Sequence, residues 1–138
     1  MRALLLHGNK FKTTVVEESN YPEGIDPEVK KSGNEQMENC LIAFFTVEKG
    51  DGEDQLNKFF NELTSSLDQM GLKKIMIAPF VHLSNNIASP ADSKYFYEKL
   101  MSKFSNTDYE VKSSHYGYHK SLLLDIKGYP GSFRYREF

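Results

Sequence analysis

One cysteine in 138 residues leaves Cys40 nothing to pair with inside the chain. An internal disulfide framework is therefore excluded, and a reducing compartment is expected. No apolar run approaches the roughly 20 residues needed to cross a bilayer, and no leader pattern opens the chain. A soluble, cytoplasmic protein is the expectation. An excess of charge of either sign is also missing: 17 Lys and Arg stand against 19 Asp and Glu, a formal net charge of −2. Proteins that wrap long duplexes through phosphate contacts usually carry net positive charge. Any nucleic-acid contact should then be small, or shared with another domain. The chain also lacks a phosphate-binding glycine loop, HExxH, CxxC and GxSxG, so none of the chemistries tied to those motifs is signalled.

What is present suits one domain over residues 1–138. Ten Phe and eight Tyr can fill a core without covalent staples, and a chain this long buries roughly two-thirds of its unfolded surface. Arg2 to His7 (RALLLH) reads as a buried strand. Gly8 and Asn9 break it, and Phe11 to Glu17 alternates as a second strand, paired to the first in a hairpin. Ser19 to Met37 is rich in Pro, Gly and charge and reads as a surface loop with at most one helical turn. Cys40 to Glu48 (CLIAFFTVE) is apolar on both faces, which predicts a central strand.

Leu56, Phe59, Phe60, Leu63, Leu67 and Met70 follow helical spacing between a polar start at Asp51 and a stop at Gly71. Lys74 to Pro79 is another buried strand, completing a strand–helix–strand crossover unit. A second helix is expected near Ser89, where Ser-Pro-Ala-Asp supplies a cap, a first-turn proline and a reciprocal acid. Its buried stripe is Phe96, Leu100 and Phe104. Asp108 to Ser113 and His119 to Lys127 are read as two closing strands. The fold class is α/β: a single domain with a mixed β-sheet and two main helices.

Two segments carry candidate chemistry. In APFVHLS, Ala78 to Ser84, a buried strand runs into a polar residue among apolar ones. Ligands in α/β folds gather at strand ends, so His82 either lines a cleft or caps a core edge. In YGYHKSLLL, from Tyr116, Lys120 shares a strand face with Leu122, Leu124 and Ile126, a face that should point inward. Such a lysine either snorkels to water or is held near a pocket, where it can act as a base or donate to developing negative charge. His119 should point the opposite way. Glu48 ends its strand as an exposed cap or a cleft-lining acid. His115 and His119, read as extended, would sit about 13 Å apart, too far to share an ion, so no metal site is expected. Cys40 reads as a small apolar residue. Lys73 with Lys74, and Arg134 with Arg136, read as solvated surface that could also meet a phosphate.

MRALLLHGN, ENCLIAFFTVEK, IAPFVHLS and YGYHKSLLLDIKGYP occur in this order over nearly the whole chain. Together they resemble the N-terminal editing domain of archaeal threonyl-tRNA synthetases, which is similar in fold to D-aminoacyl-tRNA deacylases. The resemblance implies hydrolysis of serine mistakenly esterified to the threonine tRNA. It implies no cofactor, a symmetric homodimer, and two partners: the 3′ end of aminoacylated tRNA, and a synthetase catalytic domain in cis or in trans. By the same resemblance, Lys120 positions or activates the attacking water, with the substrate 2′-hydroxyl assisting and His82 beside the site. Backbone groups at Val47 and Val81 would hold the substrate, and Pro79 and Phe80 would wall the pocket. Tyr116, His119 and Glu48 complete the expected substrate-binding set. The chain departs from the family pattern at His119, commonly tyrosine, and at Tyr129, commonly histidine. It departs again at Phe133, where the family has a glutamate; the nearest acid is Glu137. A free-standing D-aminoacyl-tRNA deacylase and a non-catalytic tRNA- or amino-acid-binding module are the alternatives.

Overall fold

The computed structural model describes residues 1–18 and 34–138. The elements run β1 (Arg2–Glu18), β2 (Asn34–Thr46), α1 (Glu53–Met70), β3 (Lys74–Pro79), α2 (Pro90–Phe104), β4 (Glu110–Ser113), β5 (Tyr118–Ile126) and β6 (Phe133–Glu137), with short 3₁₀ turns at Val81–Leu83 and Pro130–Ser132. They form one mixed sheet in the order β4-β3-β2-β1-β5, and β6 also pairs with β1. β2, β3 and β4 are parallel; β1 runs antiparallel to β2, β5 and β6. This is the α/β architecture expected, a single mixed sheet with two helices.

The helices form where their spacing and caps put them. In α1, Leu56, Phe59, Leu63 and Leu67 are buried, each worth about 1.5–3 kcal/mol, and the helix stops at Gly71 in the left-handed conformation (φ 65°). At the start of α2 the Ser89 hydroxyl accepts from the Asp92 amide (3.1 Å), the cap expected; the acid accepts in return from the Ser89 hydroxyl (2.6 Å) and not from its backbone amide. Both helices cover one face of the sheet. Ala3, Leu5, Leu41, Ala43, Phe45, Ile75 and Ile77 point toward them, packed with Phe96, Leu100 and Phe104. The alternate residues Leu6, Cys40, Ile42, Phe44, Met76 and Ala78 form a second apolar cluster on the other face with Phe11 and Met37.

Four expectations are corrected. Arg2 to His7 and Phe11 to Glu17 are one strand, not a hairpin, and both halves pair with β2. Gly8 sits there in close contact rather than in a turn: a Cβ on it would stand 2.7 Å from Ile42 Cδ1, the tip of a buried side chain that would have to shift. The loop reading of Ser19 to Met37 fails for Asn34–Met37, which belong to β2; the remainder lies outside the described residues. Leu122 and Leu124 are not buried but 41% exposed each, so the lysine face of β5 does not point into a closed core. Finally, β6 was not foreseen. Its arginines are not free in solvent: Arg134 bonds Gln69 (2.8 Å) and Ser66 (3.2 Å), and Arg136 pairs with Glu62 (2.9 Å), docking β6 on α1.

Candidate active site

The C-terminal ends of parallel strands converge on a cavity of about 480 Å³. β2 delivers Phe44, Phe45, Thr46 and Val47; β3 and the turn after it deliver Pro79, Phe80, Val81 and His82. The β4–β5 connection and β5 close the opposite wall with Ser114, Tyr116, Gly117, Tyr118, His119, Lys120 and Leu122. Val47, Pro79, Phe80, Val81, His82, Tyr116, His119 and Lys120, separate in sequence, therefore share one concavity. His119 and Lys120 line it together although adjacent in a strand. The β1–β5 ladder shifts register opposite these two residues, with Val16 as the extra residue on β1 between Val15 and Glu17. Thr46, Ser93 and Ser114 add hydroxyl-bearing side chains that the sequence reading missed. Thr46 and Ser114 lie at the ends of strands parallel to β3, so the strand-end rule that singled out His82 applied to them as well.

The walls are fixed by named bonds. Phe80 is held at both backbone groups: its N–H donates to the Phe45 carbonyl (2.8 Å), and its carbonyl accepts from the Thr46 hydroxyl. Its ring packs on Phe44 and edge-on to His82, both at 5.1 Å between centroids. The Val47 carbonyl accepts from the Ala88 N–H (2.9 Å). Tyr116 stacks on Tyr97 (5.6 Å) and donates its hydroxyl to the Pro90 carbonyl (3.0 Å); the Tyr97 hydroxyl in turn bonds Ser113 (2.7 Å). The Lys120 ammonium donates to the His115 carbonyl. His115 is not extended as read but sits in the left-handed conformation (φ 58°), largely buried, in the turn that precedes β5.

Glu48 does not line this cavity. Its carboxylate accepts from the N-terminal ammonium (2.8 Å) and the Ser84 hydroxyl and pairs with Arg2 Nε (3.0 Å). Hydrogen bonds from the ammonium and then from Ser84 hold the carboxyl below its ordinary value, against the cost of burial, and the charges of the ammonium and Arg2 act in the same direction. Glu137 is drawn to Tyr135 (2.7 Å) and Arg2 (3.8 Å), and neither it nor Phe133 reaches the cavity. Among the described residues that line it there is no carboxylate. Cys40 lies within the second apolar cluster, where burial pushes its thiol up to about 11, the wrong direction for a nucleophile. No group of three or more His, Cys, Asp or Glu among the described residues could hold a metal ion, and no described helix is long and apolar enough to cross a membrane. What the site offers is an ammonium, two imidazoles and hydroxyls around an apolar pocket. These can orient water and stabilise negative charge, which is enough for an ester already activated by its leaving group.

Residues 1–138 match the family described as the archaea-specific editing domain of threonyl-tRNA synthetase. Among curated proteins, the chain is similar to the threonine–tRNA ligase of Staphylothermus marinus, 32% identical over 132 residues, which is 94% of this chain and 21% of that protein. It is similar also to those of Methanococcus maripaludis (30% over 133 residues, 94% and 20%) and Pyrococcus horikoshii (30% over 134 residues, 94% and 21%). The chain thus spans about a fifth of the length of these relatives. Among solved structures, the c-Myc DNA Unwinding Element Binding Protein superposes with a TM-score of 0.73 at 11% identity, covering 100% of this chain and 99% of that one. That likeness concerns the fold.

Proposed function

The chain belongs to the archaea-specific editing domain family of threonyl-tRNA synthetase, and on that premise we propose that it is a proofreading hydrolase releasing serine from mischarged threonine tRNA. The observation that carries the reading is the single cavity in which Lys120, His82 and His119 face the ends of β2 and β3. Serine differs from threonine by a methyl, which discriminates by only about 1–3 kcal/mol in one pocket. A second pocket that admits serine and excludes the methyl corrects the residual error. Phe80, Val81 and Phe44 are apolar and suit that steric role.

Water adds to the ester carbonyl, the carbonyl oxygen becomes an oxyanion, and the bond to the ribose 3′-oxygen then breaks with a proton delivered to that oxygen. Lys120 orients the water and stabilises the developing charge, with His82 beside it and the substrate 2′-hydroxyl assisting. Because no carboxylate lines the cavity among the described residues, proton traffic falls to these groups and to water. The partners are the 3′ end of aminoacylated tRNA and a synthetase catalytic domain in cis or in trans. The near-neutral net charge suits gripping only the tip of the tRNA. A symmetric homodimer is supported by exposed apolar side chains on β5, Leu122 and Leu124 on one face of the strand and Leu123 on the other, part of which a second copy would cover.

A deacylation time course on seryl-, threonyl- and D-aminoacyl-tRNA tests the reading. Loss of serine with threonine retained is the expected result. Preferential release of D-amino acids would make the chain a D-aminoacyl-tRNA deacylase, and absence of turnover with retained binding of a non-hydrolysable seryl-adenosine would make it a binding module.

A further inference from the structure

Glu48 is one of the more heavily engaged carboxylates in the described structure, yet it lies outside the cavity the other candidate residues share. Its side chain is only 15% exposed. Asp51 reinforces the group, receiving the ammonium at 2.9 Å and the Glu48 amide at 2.7 Å. With Oε2 on the ammonium and Arg2 beside Oε1, the carboxylate is fixed in orientation, and Oε1 meets the Ser84 hydroxyl. That hydroxyl also accepts from the Asn86 amide (3.0 Å). The segment that follows lies antiparallel along the end of β2: Lys49 N–H donates to Asn86 O (3.0 Å), Glu48 bridges Ile87, and Ala88 N–H donates to Val47 O (2.9 Å).

We infer that Glu48 and Ser84 are positioning residues that set the width of the pocket by anchoring one end of the wall carrying Val81 and His82. The other end is Phe80, locked by Phe45 and Thr46. Val81 and His82 are therefore strung between two anchors, and Val81 is itself 53% exposed, with little packing of its own to fix it. Discrimination by a methyl needs a wall that does not yield by a fraction of an ångström, since a relaxed wall accommodates the larger side chain. The Ser84 hydroxyl bonded to a carboxylate is a stiffer anchor than one bonded to a neutral acceptor, because charge-assisted bonds are shorter and stronger than neutral ones. The inference rests on the editing reading and adds to it the device that keeps the pocket selective.

The test is Ser84→Ala beside wild type, with Ser84→Thr as the conservative variant that keeps a hydroxyl on the same carbon. The readouts are kcat/KM on seryl- and threonyl-tRNA, and amide hydrogen exchange across residues 81–88. Ser84→Ala is expected to lower the serine-to-threonine ratio by about threefold to tenfold, a share of what one methyl can discriminate. Exchange should quicken in that segment while circular dichroism is unchanged, and Ser84→Thr should restore the ratio. Wild type that releases serine while Ser84→Ala keeps the same ratio overturns this inference alone. Wild type that releases no serine overturns the editing reading, and the inference with it.

Discussion

Replacing Lys120 with Met separates a chemical role from a structural one, because the two predict very different magnitudes. Methionine matches the length and most of the apolar stem, so packing against the cavity wall is largely retained. What is lost is the charge and the bond from the ammonium to the His115 carbonyl. Leaving that carbonyl without its donor costs about 1–2 kcal/mol. For a domain of 138 residues this lowers Tm by roughly 3–7 °C. If Lys120 holds the water and stabilises the oxyanion, deacylation of seryl-tRNA should fall by about one to three orders of magnitude, equivalent to roughly 1.4–4 kcal/mol on the barrier. With assays run below the variant's melting transition, the two effects are read independently, by thermal melting and by single-turnover release of serine. Melting that falls as expected with release unchanged would refute the reasoning and leave Lys120 a strap on the turn before β5.

Three further outcomes follow from the geometry. Gly8→Ala should destabilise by about 1–2 kcal/mol through the overlap with Ile42 Cδ1. Combining it with Ile42→Val, which removes that atom, should cost less than the sum of the two in urea titrations. Glu48 has a folded-state value below its ordinary 4.5, so its contribution is present above pH 4.5 and is lost as pH falls through the folded value. Glu48→Gln should therefore lower Tm at neutral pH and flatten the decline below pH 4.5; an unchanged acid limb in melts from pH 7 to 3 would contradict this. Cys40 is fully buried with its thiol raised, so a thiol reagent at pH 8 should label it only at the rate of unfolding, with immediate labelling in urea.

The helices and β3 were legible because their signals are local. Spacing of apolar residues, a Ser-Pro-Ala-Asp cap and a terminal glycine act within a few residues, so the sequence carries them without reference to the rest of the fold. β1 was misread as a hairpin because Gly8-Asn9 looks the same whether the glycine is needed for a turn or for close approach to Ile42 on a neighbouring strand. β6 is not legible because FRYRE alternates polar with apolar in either setting, and the partners that dock its arginines, Glu62, Ser66 and Gln69, lie on a helix far away in sequence. For the site, strand ends and residue chemistry drew attention to His82 and Lys120, and the family resemblance supplied the rest of the set.

Sequence alone determined which segments become helix and buried strand, and which residue types are present to act on an ester. Tertiary structure decided who meets whom. It brought Lys120, from the end of the chain, against the ends of β2 and β3, and it drew Glu48 out of the cavity into a cluster with Arg2 and Ser84. Propensity and capping are short-range. A cavity or an ion-pair network is made by strand order and register, which depend on contacts between residues many positions apart.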